Sequence, residues 1–171
     1  MKTKRLVTNG LCVAVNVVLS TVAGLHLGPI TISLSGLPIL LGAMMFGPVD
    51  GAVIGLLGGF ISQLLGPYGV SVTTPLWILP PALLGLVMGL YARKKGEGLT
   101  AKQVALWSFI ALCADTTLTT GVMWVDCLVY HYSFVTYSPY IVWRYVADVI
   151  KAVVYALVLP PLVKALRSVK P

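Results

Sequence analysis

The sequence predicts an all-α membrane protein: a six-transmembrane-helix bundle with both termini cytoplasmic, residues 1–171 forming a single integral membrane domain. Three observations predict it. Of the 171 residues, 58% are hydrophobic and 10% charged, where a soluble domain carries about 25% charged residues. So short a chain has too few polar groups to cover a water-facing surface. One crossing of the hydrocarbon core takes about 20 apolar residues, so the length holds about six crossings with short loops. Finally, ten of the 12 basic residues fall in three clusters that flank apolar runs.

The first span covers roughly 6–25, after Lys2, Lys4 and Arg5. That start looks like a signal peptide, but the apolar run is long and no clean small-x-small site precedes His26, so a retained span is expected. The next spans cover roughly 30–46, 49–65, 76–91, 104–125 and 140–166, punctuated by Gly28-Pro29, Gly47-Pro48, Gly66-Pro67 and Thr74-Pro75. Pro38 falls inside the second span, and Pro80 and Pro81 inside the fourth. A proline frees a carbonyl that lipid cannot satisfy. Residues 31–38 and 68–81 therefore read as irregular chain lining a cavity on the outer side, with ordinary proline kinks as the alternative. The alternation over 32–35 suggests extended chain. Gly51, Gly55 and Gly59, joined by Gly58, form a small-residue ridge on the third span, and Gly10 and Ala14 repeat that spacing on the first. Such ridges let helices approach closely in lipid. The third-span ridge is expected to pack within the bundle, whereas Gly10 and Ala14 serve a neighbouring span or a partner subunit equally well.

The basic clusters are Lys2, Lys4 and Arg5; Arg93, Lys94, Lys95 and Lys102; and Lys164, Arg167 and Lys170. Six spans put all three on one side, which the excess of Lys and Arg in cytoplasmic loops makes the cytoplasm. The setting is then a bacterial plasma membrane crossed several times. The net charge of +7 reflects this flanking and no nucleic-acid surface, since basic and aromatic residues are not interleaved. Cys12, Cys113 and Cys127 lie in apolar runs without metal-ligand spacing and read as small packing groups.

Ionisable groups inside a span are costly and face a cavity or a partner. Asp115 falls near the middle of the fifth span and Asp126 at its outer end, about three turns apart on one face. Arg144, Asp148, Lys151 and Tyr155 follow at intervals of four, three and four, one helical stripe descending from the outer mouth. Asp148 can pair with Arg144 or with Lys151, and Asp115 with Lys151. These groups either hold the bundle together or meet a polar ligand entering from outside. Trp77, Trp124, Tyr130, His131, Tyr132, Tyr137, Tyr140, Trp143 and Tyr145 gather at the outer ends. An interfacial belt explains them. Their scarcity on the inner side, where Tyr91 and Trp107 stand, instead favours some of them lining a pocket.

No GxxxxGK[ST] phosphate loop, HExxH pair, clustered His/Cys site or nucleophile–base constellation occurs, so neither catalysis nor a resident cofactor or metal is expected. A small channel or ion-coupled secondary carrier, with Asp115, Asp148 and Lys151 as relay groups, is a second reading. It lacks the internal repeat usual for such carriers between 1–85 and 86–171.

Two stretches carry a resemblance: Ser35-Gly36-Leu37-Pro38-Ile39, and Phe46-Gly47-Pro48-Val49-Asp50-Gly51-Ala52-Val53-Ile54-Gly55. With six spans in this length, the chain resembles the substrate-binding S components of energy-coupling factor (ECF) vitamin transporters. The resemblance implies high-affinity capture of a water-soluble vitamin, folate or pantothenate favoured, on the extracellular side. It implies docking on a membrane coupling subunit driven by two ATPase subunits, which use the ATP. The family's first-span Ala-x-x-x-Ala docking motif matches Gly10 and Ala14, with the first alanine lost. The gate between the first two spans matches 26–35, with His26, Thr31, Ser33 and Ser35. Trp77, Asp148, Lys151 and Tyr155 fall in or near the family's pocket, and Arg144, Asp115 and Trp124 are added from the residues themselves.

Overall fold

The computed structural model describes residues 2–22, 25–27, 30–66, 69–96, 99–136 and 138–168. Helix α1 (Lys2–Thr21) leads into a hairpin of β1 (Leu25–Leu27) and β2 (Ile30–Ile32), antiparallel with Leu25 opposite Ile32 and Leu27 opposite Ile30. Then come α2 (Gly36–Phe46), α3 (Pro48–Leu65), the single turn α4 (Thr74–Trp77), α5 (Leu79–Lys95), α6 (Ala101–Tyr130), a 3₁₀ turn at Phe134–Thr136, and α7 (Ser138–Ser168). Extended chain thus occupies 30–32, slightly before the stretch whose alternation suggested it.

The long helices alternate in direction. Arg5 at the start of α1 meets Asp50 at the start of α3, and Tyr91 near the end of α5 stacks on Trp107 near the start of α6, ring centroids 4.1 Å apart. The three basic clusters of the sequence attach to this same end, since Arg5 opens α1, Arg93, Lys94 and Lys95 close α5, Lys102 opens α6 and Lys164 lies in the last turns of α7.

Among the described residues, four helical stretches are long and apolar enough to cross a membrane: Pro48–Leu65, Thr74–Lys95, Ala101–Tyr130 and Ser138–Leu166. The apolar parts of α1 (Arg5–Thr21) and α2 are shorter. The second span expected over 30–46 is in fact an 11-residue helix, about 16 Å long at 1.5 Å per residue, roughly half the hydrocarbon thickness. Eight of its residues are buried, so protein and not lipid surrounds it.

The prolines start helices instead of breaking them. Pro38 is the third residue of α2, and Pro80 and Pro81 are the second and third of α5. The first four N–H groups of a helix have no partner within it, so a proline there costs no hydrogen bond. This corrects part of the expectation of irregular chain over 31–38 and 68–81: residues 36–38, 74–77 and 79–81 are helical, whereas 33–35 and 69–73 are neither helix nor strand, and Pro67 and Tyr68 lie outside the described residues. Pro160 and Pro161 lie well inside α7, where the carbonyls of Ala156 and Leu157 lose their donors four residues on.

The Gly ridge of α3 packs inside the bundle. A Cβ on Gly51 would lie 2.5 Å from Ala43 Cβ and 2.8 Å from the Gly85 carbonyl oxygen, and one on Gly55 would collide with the Pro81 carbonyl. Gly85 and Gly89 of α5 answer from the other side, meeting the backbones of Gly51 and Pro48. Helices α3 and α5 therefore touch backbone to backbone. Replacing Gly55 by Val is expected to lower stability by about 1–3 kcal/mol through overpacking, seen as a lower unfolding temperature in detergent. The same change at Gly10, whose Cβ position is open, should leave that temperature nearly unchanged.

Candidate functional site

The α7 stripe faces inward. Asp148 and Tyr155 are buried, whereas Val142, Val146, Val149, Ile150, Val153 and Leu157 on the other faces are exposed apolar side chains suited to lipid. With Arg144 and Lys151, Tyr155 lines a cavity of about 220 Å³. The half-length of α2 makes this space: its first residues, Gly36 and Ile39, wall the cavity inside the bundle. Ser33 and Ser35 enter from the segment leaving the hairpin, Gly59 and Ser62 from α3, Pro81 and Leu84 from α5, and Leu112 and Asp115 from α6. The wall from α1 is polar, because Asn16 and Ser20, four residues apart, share one helix face.

Hydrogen bonds hold this lining. Asn16 Nδ2 donates to the Ser35 carbonyl at 2.6 Å, the hydroxyls of Ser20 and Ser62 lie 2.6 Å apart, and those of Ser33 and Ser35 2.8 Å apart. Gly58 leaves room for Asn16, since a Cβ there would collide with its amide. Asn16, Ser20 and Ser62 are not among the site residues the sequence singles out.

Asp148 stands behind the cavity with both oxygens engaged. Lys151 Nζ donates to Oδ1 at 3.0 Å and Thr116 Oγ1 donates to Oδ2 at 2.5 Å, and the side chain is 1% exposed. Of the two pairings the spacing allowed, Asp148 takes Lys151. Arg144, among the described residues, makes no hydrogen bond or ion pair. Asp115 shares the cavity lining with it, and Asp148 lies one turn along the same helix. The enclosure thus offers one guanidinium with free donors, one ammonium already tied to a carboxylate, the Asp115 carboxylate and several hydroxyls.

Two of the tryptophans expected at the site are elsewhere. Trp77 Nε1 points at Asp126 Oδ1 at 3.5 Å, and Thr73 donates to that oxygen at 2.5 Å and Tyr132 to Oδ2 at 2.6 Å. This cluster ties the segment before α5 to the end of α6. Burial, and then the bond to Asp126, push the Tyr132 phenol above its ordinary range, so it stays the donor at neutral pH. Trp124 is 53% exposed, as are Tyr130 at 48% and Trp143 at 65%, which is the behaviour of an interfacial belt. Only Tyr155 supplies a ring to the cavity among the described residues, and none of the described aromatics gathered at the outer helix ends lines it. Ser33 and Ser35 of the expected gate line the cavity; the side chains of His26 and Thr31 lie outside the described residues. Gly10 and Ala14 are exposed on α1. No group of three or more metal-ligating residues occurs among the described residues.

Solved structures share this architecture. An S component of a bacterial ECF transporter superposes with a TM-score of 0.65 at 24% identity, covering 98% of each chain. FolT bound with folic acid gives 0.70 at 23% identity over 96% of each, and an S-component for biotin gives 0.65 at 16% identity over 98% of this chain and 92% of that one. At these identities the likeness is one of fold. Among curated sequences, a UPF0397 protein of Vibrio atlanticus (strain LGP32) is 28% identical over 94 residues, 52% of this chain and 50% of that protein. A UPF0397 protein of Streptococcus pneumoniae (strain CGSP14) is 34% identical over 84 residues, 47% of this chain and 44% of that one. The chain thus matches about half the length of these relatives. The family model described as "ECF-type riboflavin transporter, S component" matches residues 1–168. With an S-component fold, a polar cavity inside a membrane-spanning bundle and that match along nearly its whole length, the chain belongs to this family of multi-pass transporter S components.

Proposed function

We propose that the chain captures a carboxylate-bearing vitamin, folate or pantothenate, at the extracellular face and delivers it to a membrane coupling subunit driven by two ATPase subunits. The observation that carries this reading is the Arg144 guanidinium, which lines the cavity without a hydrogen-bond partner among the described residues. A guanidinium matches a carboxylate with two parallel hydrogen bonds. Lys151, Asp115 and the serines then serve the ligand's neutral polar groups. At about 220 Å³ the cavity is below the range of about 300–1,000 Å³ usual for ligand sites. Of the two vitamins, pantothenate is the smaller and the better match to that volume.

Riboflavin is the second reading, favoured by the description of the family that matches residues 1–168. Riboflavin has no anionic group, so the two readings separate in one competition experiment. The purified chain is titrated with folate, pantothenate and riboflavin. Tight binding of an anionic vitamin supports the first reading, and tight binding of riboflavin alone replaces it with the second.

Gly10 and Ala14 form the exposed small-residue face of α1 that would meet the coupling subunit. Replacing Gly10 by Leu should leave vitamin binding to the isolated chain unchanged and cut uptake by cells carrying the whole transporter about tenfold or more, because a close helix approach depends on small residues. Uptake at the normal rate would remove this face from the docking surface.

A further inference from the structure

The cavity beside α7 has a second polar end. Tyr155 follows Arg144 by about three turns of that helix. Its side chain is 0% exposed, it lines the cavity, and its hydroxyl has no hydrogen-bond partner among the described residues. A Cβ on Gly36 would lie 2.9 Å from that hydroxyl, so the phenol rests on the first residue of α2. We propose that this end is a separate subsite, where the Tyr155 O–H and the N-terminal end of α2 hold an uncharged carbonyl oxygen of the vitamin. The inference rests on the reading of the cavity as a vitamin site, but not on which vitamin it takes.

Helix α2 opens without a cap. Ser35, its N-cap, makes no side-chain cap bond, and its hydroxyl lies 2.8 Å from that of Ser33 instead. Leu37 N–H donates to the Leu34 carbonyl at 2.9 Å, and Pro38 has no N–H. The Gly36 N–H is then the donor that this 11-residue helix presents where Ser35 and Gly36 line the cavity, at the positive end of the helix dipole. It lies toward the phenol oxygen without closing a hydrogen bond. A donor there uses an oxygen lone pair and leaves the O–H proton without an acceptor. Both the buried hydroxyl and the helix start are costly when unpaired, and one acceptor oxygen meets both needs.

The charges make that acceptor a neutral one. Lys151, one turn from Tyr155, is tied to Asp148 at 3.0 Å. Asp115 adds a carboxylate to the lining, which opposes a second anion. The unpaired guanidinium of Arg144 stands three turns away and keeps the charged end of an anionic ligand. Folate, pantothenate and riboflavin all carry an uncharged carbonyl, so the subsite serves any of them.

The test compares the wild type with Tyr155→Phe, each as the purified full chain in detergent. Both are melted without ligand and titrated with folate, pantothenate and riboflavin. Phe keeps the ring and removes only the hydroxyl. The variant is expected to melt no lower than the wild type, because an unpaired hydroxyl contributes no bond within the protein. It should bind whichever of the three the wild type takes about three- to tenfold more weakly, as loss of one neutral hydrogen bond implies. Unchanged affinity would overturn the subsite and leave the vitamin reading intact. A lower melting temperature without ligand would also overturn it, since the hydroxyl would then be paired within the protein. A folded wild type that binds none of the three would overturn the vitamin reading, and the subsite with it.

Discussion

Replacing Asp148 by Ala is expected to destabilise the protein by about 3 kcal/mol, the largest single effect in this site. Asp148 is 1% exposed and receives Lys151 and Thr116. Its removal leaves an ammonium that is only 18% exposed without its counter-charge, and a buried hydroxyl without its acceptor. Breaking a buried pair from one side typically costs about 3–5 kcal/mol, and the partial exposure of Lys151 places the expectation at the low end. Adding Lys151→Met should recover most of the loss, because no charge then remains unpaired. The measurement is thermal or denaturant unfolding in detergent for both single variants and the double variant. Additive losses would mean that the two side chains act independently and that the ion pair contributes little.

The second large effect concerns ligand choice. Arg144→Leu should weaken binding of a carboxylate-bearing vitamin by about 1.5–3 kcal/mol, the usual worth of a hydrogen bond to a charged group, or roughly 10- to 150-fold. Stability should change little, since Arg144 makes no hydrogen bond or ion pair among the described residues. Titration calorimetry with an anionic and a neutral vitamin separates charge recognition from shape. Equal losses for both would mean that Arg144 only fills space, and an unchanged affinity for the anionic vitamin would take it out of the site.

The helices were legible in the sequence because hydropathy reports them directly. Their lengths were less so. The run 30–46 is apolar throughout, and hydropathy cannot tell chain surrounded by protein from chain surrounded by lipid, so the buried half-length α2 read as a full span. The significance of Pro38, Pro80 and Pro81 depended on where each helix begins. The same residues break a helix in its middle and cost nothing in its first turn. The inward face of Arg144, Asp148, Lys151 and Tyr155 was visible as spacing alone. The choice of Lys151 over Arg144 as the partner of Asp148 was not, because Thr116 on α6 fixes one carboxylate oxygen and only tertiary structure brings it there. Asn16 and Ser20 did carry a signal, two polar residues one turn apart in an apolar run, but neither ionises, and a search for intramembrane charges passes over them. The tryptophans misled for a related reason: a belt and a pocket both place rings at helix ends.

Co-purification puts the central claim to its most direct test. The chain is isolated from cells grown on a vitamin mixture and denatured, and the released small molecules are identified by mass spectrometry, alongside a folded Lys151→Met variant. A vitamin sitting against α7 predicts near-stoichiometric release of one vitamin from the wild type and clearly less from the variant. Equal release from both, or none from a wild-type protein that remains folded, would contradict it.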